Sequence, residues 1–122
     1  MANEISLTII GTITNGNFKD EFRPGGISVT QTTLFAAGGV QSIGTTEEAL
    51  AVGDVATLGY AFFRNVDATN FVTIGTYVSA VYYPAMKLKA GEAICVRLDS
   101  TKTYYAKADT AAVKLLYKIW ND

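Results

Sequence analysis

The chain has no histidine. That absence removes the commonest general base, the Ser-His and Cys-His nucleophile pairs and the most frequent transition-metal ligand together. Its single cysteine is Cys95, so no disulfide can close within the chain, which suits a reducing compartment of synthesis. Set between apolar residues in AICVRL, Cys95 reads as a buried small hydrophobe rather than a reactive thiol. Charge is scarce and balanced: ten Lys and Arg stand against eleven Asp and Glu, a net charge of −1. These charges are scattered, whereas a nucleic-acid partner asks for a basic stripe. The nearest approach to one, Lys87, Lys89 and Arg97 with Lys102 and Lys107 following, reads as a solvated strand face, and no direct nucleic-acid contact is expected. No run attains the roughly 18 apolar residues of a membrane span. The opening MANEISLTIIG has an acid where a secretion signal carries basic residues, so synthesis in the cytoplasm and no membrane partner are expected.

Hydrophobic residues, by contrast, make up 49% of the 122 positions. A chain of this length and composition can bury a core that offsets its conformational entropy, as a single domain with a radius of gyration of roughly 14 Å. The apolar residues recur at a period of two, among many Thr, Val, Ile, Tyr and Phe, which predicts strands. EISLTIIGTIT is one, with Gly11 as a kink, and Asn15, Gly16 and Asn17 form the turn after it. FKDEFRPGG, residues 18–26, reads as an ordered loop anchored by Phe18 and Phe22. ISVTQTTLFAA and VQSIGTT follow as strands. TTEEALAVGD predicts one short helical turn, with Thr45 or Thr46 as N-cap, acids in the first turn and Gly53 as the stop.

VATLGYAFFRNV is apolar on both faces and reads as a central strand covered on each side, with NFVTIGTYV as its hairpin partner. SAVYYPAM reads as a tyrosine-rich loop, and LKAGEAICVRL as strand end, turn and strand. In VKLLYKIWND, Val113, Leu115, Tyr117 and Ile119 alternate with Lys114, Leu116, Lys118 and Trp120. A helix competes there on Ala, Lys and Leu content, but the strict alternation favours a closing strand. The expectation is an all-β, antiparallel, jelly-roll-like sandwich of about eight strands with at most one short helical turn, spanning residues 1–122, with 1–26 as an arm or loop contacting neighbours.

Without histidine, catalysis would rest on carboxylates, and the adjacent pairs Asp20–Glu21 and Glu47–Glu48 sit where a loop or helix start places acids anyway. The polar cluster Arg64, Asn65, Asp67 and Asn70 has the oxygens that calcium accepts but lacks the repeated acids of a calcium loop. Asp and Asn bond their own backbone at turns, and a hairpin corner is the stronger reading. The chain is therefore expected to be non-enzymatic, with no cofactor and no metal. Tyr77, Tyr82 and Tyr83 suit a protein interface better than a ligand platform, with core packing as a rival to both. Together with Phe18, Phe22 and Arg23 they are the candidate interface residues.

Four segments, MANEI, GYAFFRNVDATNFVTIG, MKLKAGEAICVRL and YYAKADTAAVKLLYKIWND, occur in an order that resembles small structural proteins of tailed-bacteriophage virions, closely over residues 55–122 and loosely before that. The resemblance implies a virion protein, most specifically a capsid decoration or cement protein that binds the major capsid protein as a homo-oligomer, a trimer by preference. Alternatives of the same or another class are a tail or head-fibre component and a carbohydrate-binding β-sandwich.

Overall fold

In the computed structural model of the chain, residues 4–32 and 34–122 are described. Residues 1–3 of the MANEI opening, and Thr33 in the expected strand ISVTQTTLFAA, lie outside the described residues. The chain divides into two compact units, Met1–Thr33 and Leu34–Asp122, and the described residues contain strands and no helix.

The first unit is a ribbon. Strand β1 (Ile5–Thr8) pairs antiparallel with β4 (Gly26–Val29). Between them in sequence, β2 (Gly11–Asn15) pairs with β3 (Phe18–Phe22). Asn15 pairs with Phe18, leaving Gly16–Asn17 as a two-residue turn with Gly16 at φ 59°. A two-residue turn with positive φ at its first position only is type II′. Its twist matches that of the strands, and glycine meets no Cβ clash there. Residues 18–22 are thus a strand and not the loop their charges and nearby Pro-Gly-Gly suggest; alternation of Phe18, Asp20 and Phe22 against Lys19 and Glu21 was the signal.

The second unit has eight strands: β5 (Ala36–Ile43), β6 (Glu48–Ala49), β7 (Leu58–Asn65), β8 (Val72–Val78), β9 (Val81–Leu88), β10 (Ala93–Arg97), β11 (Tyr104–Ala108) and β12 (Val113–Asn121). They form two antiparallel sheets, ordered β10-β7-β12-β5 and β6-β11-β8-β9. The pairing is nested: β5 with β12, β6 with β11, β7 with β10, and β8 with β9. One long antiparallel hairpin has been folded over into two facing sheets, which is a jelly roll. Ile43, Phe63, Val72, Ile74, Leu88, Leu115 and Ile119, none more than 2% exposed, form the core with residues of both sheets. Burying each contributes roughly 1.5–3 kcal/mol. The closing segment is a strand, as its alternation predicts: Val113, Leu115, Tyr117 and Ile119 are buried while Lys114 and Lys118 are exposed.

Tertiary pairing overrides local pattern at four places. Residues 45–53 hold no helical turn; Glu48 and Ala49 are a short strand on β11. The Glu48 carboxylate accepts from Gln41 Nε2 and Gly44 N, each at 3.3 Å, instead of facing a helix start. Residues 81–88 are an edge strand and not a loop, and an edge is where a sheet tolerates Pro84. NFVTIGTYV is not the hairpin partner of β7. Strand β7 pairs with β10 and β12, while β8 lies in the other sheet. Finally, β7 is central in its sheet but covered on one side only, since Phe62 is 39% exposed.

Candidate interaction surfaces

The polar cluster in RNVDATN is a corner between sheets. Asn65, fully buried, donates from Nδ2 to the carbonyls of Asn70 and Leu88 at 2.8 and 3.1 Å, and its Oδ1 accepts from Asp67 N at 2.9 Å. Asp67 Oδ2 accepts from the backbone of Asn70 at 2.7 Å and Thr69 at 3.0 Å; these bonds hold its carboxyl below the usual aspartate range. The backbone of Asn65 also bonds Glu92 O and Gly91 N, both at 2.9 Å, and Thr110 Oγ1 donates to Asn70 Oδ1 at 2.9 Å. Segments FRNVDATN, LKAGE and KADT therefore meet at one corner, where their polar atoms serve the backbone. No group of three or more His, Cys, Asp or Glu able to hold a metal occurs among the described residues.

The ribbon carries the first set of candidate interface residues. Cross-strand pairing puts Ile13, Phe18 and Phe22 on one face, with Asp20 among them, and Thr12, Thr14, Lys19 and Glu21 on the other. On this apolar face Ile13 is 49%, Phe18 59% and Phe22 60% exposed. The two phenylalanines expected to anchor a loop are not buried, although the Phe22 ring lies over Gly11, where an added Cβ would meet it. Arg23 Nε donates to Glu21 Oε2 at 3.3 Å in an exposed pair, worth little by itself.

The second set lies in the sandwich, on β8 and β9. Tyr77 pairs directly with Tyr82, their ring centroids 6.0 Å apart. Tyr105 of β11, which the sequence reading passed over, is closer to Tyr77 still: 4.4 Å and edge-on. Tyr77 Oη donates to Glu47 Oε1 at 2.6 Å. That bond to a carboxylate pushes the phenol up to about 12 and holds the Glu47 carboxyl below its usual value. Tyr83 pairs with Thr76 and points to the opposite face of the sheet from Tyr82, 55% exposed. The three tyrosines thus do not form one platform. Around Thr73 the outer face opens into a groove lined by Phe71, Tyr82, Pro84, Lys107 and Asp109, about 370 Å³ in volume.

The outer face of the other sheet mixes apolar and cationic side chains. In register stand Arg64 with Leu116, Leu116 with Val40, Phe62 with Lys118 and Cys95 with Phe62, and Lys114 follows on β12. Arg97, at one edge, donates to Asp122 Oδ1 at 3.0 Å and lies 5.0 Å from the Tyr60 ring. Arg64, Lys114 and Lys118 have no ion pair among the described residues. Cys95 faces outward here and is exposed, contrary to its apolar sequence context, because Ile94 and Val96 take the two inward positions of β10. Partial burial pushes its thiol up from the ordinary value.

The fold and these surfaces define a jelly-roll scaffold with an amphipathic ribbon. No protein-family model, no curated protein and no solved structure matches the chain.

Proposed function

We propose that the protein is a non-enzymatic structural component that docks onto a larger protein assembly. In its most specific form it is a decoration or cement protein of a tailed-bacteriophage head, bound to the major capsid protein as a homo-oligomer, a trimer by preference. The observation that carries the reading is the ribbon. A two-stranded hairpin is at best marginally stable alone in water, and this one turns Ile13, Phe18 and Phe22 to solvent on one face. An apolar face of that kind becomes favourable when a partner covers it. On the outer face of the β10-β7-β12-β5 sheet, Phe62 and Arg64 support the same reading, since aromatic residues and Arg are the ones that anchor protein interfaces.

The test is binding of the purified chain to expanded phage heads, followed by co-sedimentation. Phe18→Ser with Phe22→Ser is expected to weaken binding by about thirtyfold or more, the weight of one interface hot spot, with little change in unfolding temperature because both side chains are exposed. Unchanged head binding by the double variant would remove the ribbon from this role. A wild-type chain without affinity for heads would remove the role itself.

A further inference from the structure

We propose that the groove on the outer face of the β6-β11-β8-β9 sheet binds a neutral saccharide, seating one pyranose ring through its vicinal hydroxyls. This is a second activity, separate from the ribbon and from docking. The groove is built from three adjacent strands and the turn that follows the third. Thr73 of β8 forms its floor; its Oγ1 is 2.9 Å from Tyr82 Oη and donates to Lys107 O at 3.3 Å. Tyr82 and Pro84 of the edge strand form one side, Lys107 and Asp109 the other, and Phe71 lies at one end. The Lys87 ammonium sits 4.0 Å over the Phe71 ring and holds it in place.

Two features of the lining select the ligand. Lys107 and Asp109 lie two residues apart and both line the groove, yet neither forms an ion pair or a side-chain hydrogen bond among the described residues. One offers three donors and the other only acceptors. A net anion would gain at Lys107 and lose at Asp109, and a cation the reverse. A pair of neighbouring hydroxyls satisfies both, because each hydroxyl donates and accepts. The opposite side, Tyr82 with Pro84, is apolar and suits the C–H face of a sugar ring. The volume of about 370 Å³ lies at the small end of ligand sites and accommodates one or two rings.

The experiment is a titration of the isotope-labelled full chain, followed by amide NMR, with methyl glycosides of glucose, galactose and mannose, N-acetylglucosamine, lactose, maltose and cellobiose. Glucuronate and glucosamine serve as charged counterparts. At least one neutral sugar is expected to bind saturably at roughly millimolar affinity, as suits a small ligand in an open groove. The shifted amides should cluster at Thr73, Tyr82, Lys107 and Asp109. Tyr82→Ala is expected to weaken that binding more than tenfold, and Asp109→Asn or Lys107→Met about tenfold each. Tyr82→Phe, which keeps the wall, should retain it to within a few-fold. No saturable binding by any neutral sugar overturns the proposal, as does binding that shifts amides elsewhere or that prefers a charged sugar tenfold. Head binding unaffected by Lys107→Met, alongside weakened sugar binding, shows that the two sites are separate; a failure of either leaves the other standing.

Discussion

Asn65 shows what a polar residue is for in this chain. Its side chain closes three hydrogen bonds inside the corner between sheets, and each buried polar group left without its partner costs roughly 1–3 kcal/mol. Asn65→Ala is therefore expected to lower stability by about 3 kcal/mol or more, read as a drop in urea midpoint at unchanged slope. Tyr77 and Glu47 give a pH signature of opposite sign at each end. The fold raises the phenol above its unfolded value, so its contribution is complete below about pH 10 and fades as pH climbs through about 12. The fold lowers the Glu47 carboxyl, so its contribution is present above about pH 4.5 and fades as pH falls through the lowered value. A tyrosinate absorbance step near pH 12 should disappear in Tyr77→Phe and move toward pH 10 in Glu47→Gln. A titration unchanged by Glu47→Gln would count against the bond. Little of this was visible in sequence: Asn65, Asp67 and Asn70 announced a turn, but nothing in TTEEAL or TIGTYV places Glu47 beside Tyr77.

At the scale of elements, the β8–β9 hairpin stores strain. Its two turn residues, Ser79 and Ala80, both have positive φ, 51° and 64°, the type I′ turn that Asn-Gly adopts with least cost. Ser79→Asn with Ala80→Gly should stabilise the protein by about 1 kcal/mol, measured as a raised unfolding midpoint; a destabilised double variant would contradict the turn assignment. Gly75 marks the opposite case. Next to it β9 bulges, Ile74 facing Met86 and Gly75 facing Pro84, and a Cβ on Gly75 would collide with the Tyr83 carbonyl oxygen. Glycine is required there because backbone occupies the space. The elements legible in sequence were those with clean alternation, β8, β10 and β12, together with β7, whose unbroken apolar and aromatic run marked a strand. Strand β9 read as a loop because Pro84 and a bulge break its pattern, and β6 read as a helix start because two residues are too few to show a period. In the ribbon the Gly16 turn was legible, and the strand after it was hidden by its charges.

For the whole molecule, the nested pairing sets where protection from exchange concentrates. Strands β7, β12, β8 and β11 each have neighbours on both sides, so their amides should exchange most slowly, and those of residues 11–22 fastest among the strands. On docking through the ribbon, the latter amides should become protected; continued fast exchange in the bound state would place the contact elsewhere. By itself the sequence determined that this is a β protein, because side chains alternating at a period of two bury only as strands. It also determined the closing strand and the turns at Gly16 and around Gly91, which follow from local backbone chemistry. Only the tertiary structure decided which strands pair, because hydrogen-bond partners in a jelly roll are distant in the chain and any alternating strand can pair with any other. That pairing placed NFVTIGTYV in the sheet opposite FFRNV, set Tyr82 beside Tyr77 at the sheet edge, and opened the groove around Thr73. The apolar side of FKDEF is likewise a product of register with β2, which sets Phe18, Phe22 and Ile13 on one face. Alternation states which residues share a side, but only packing decides whether that side is covered.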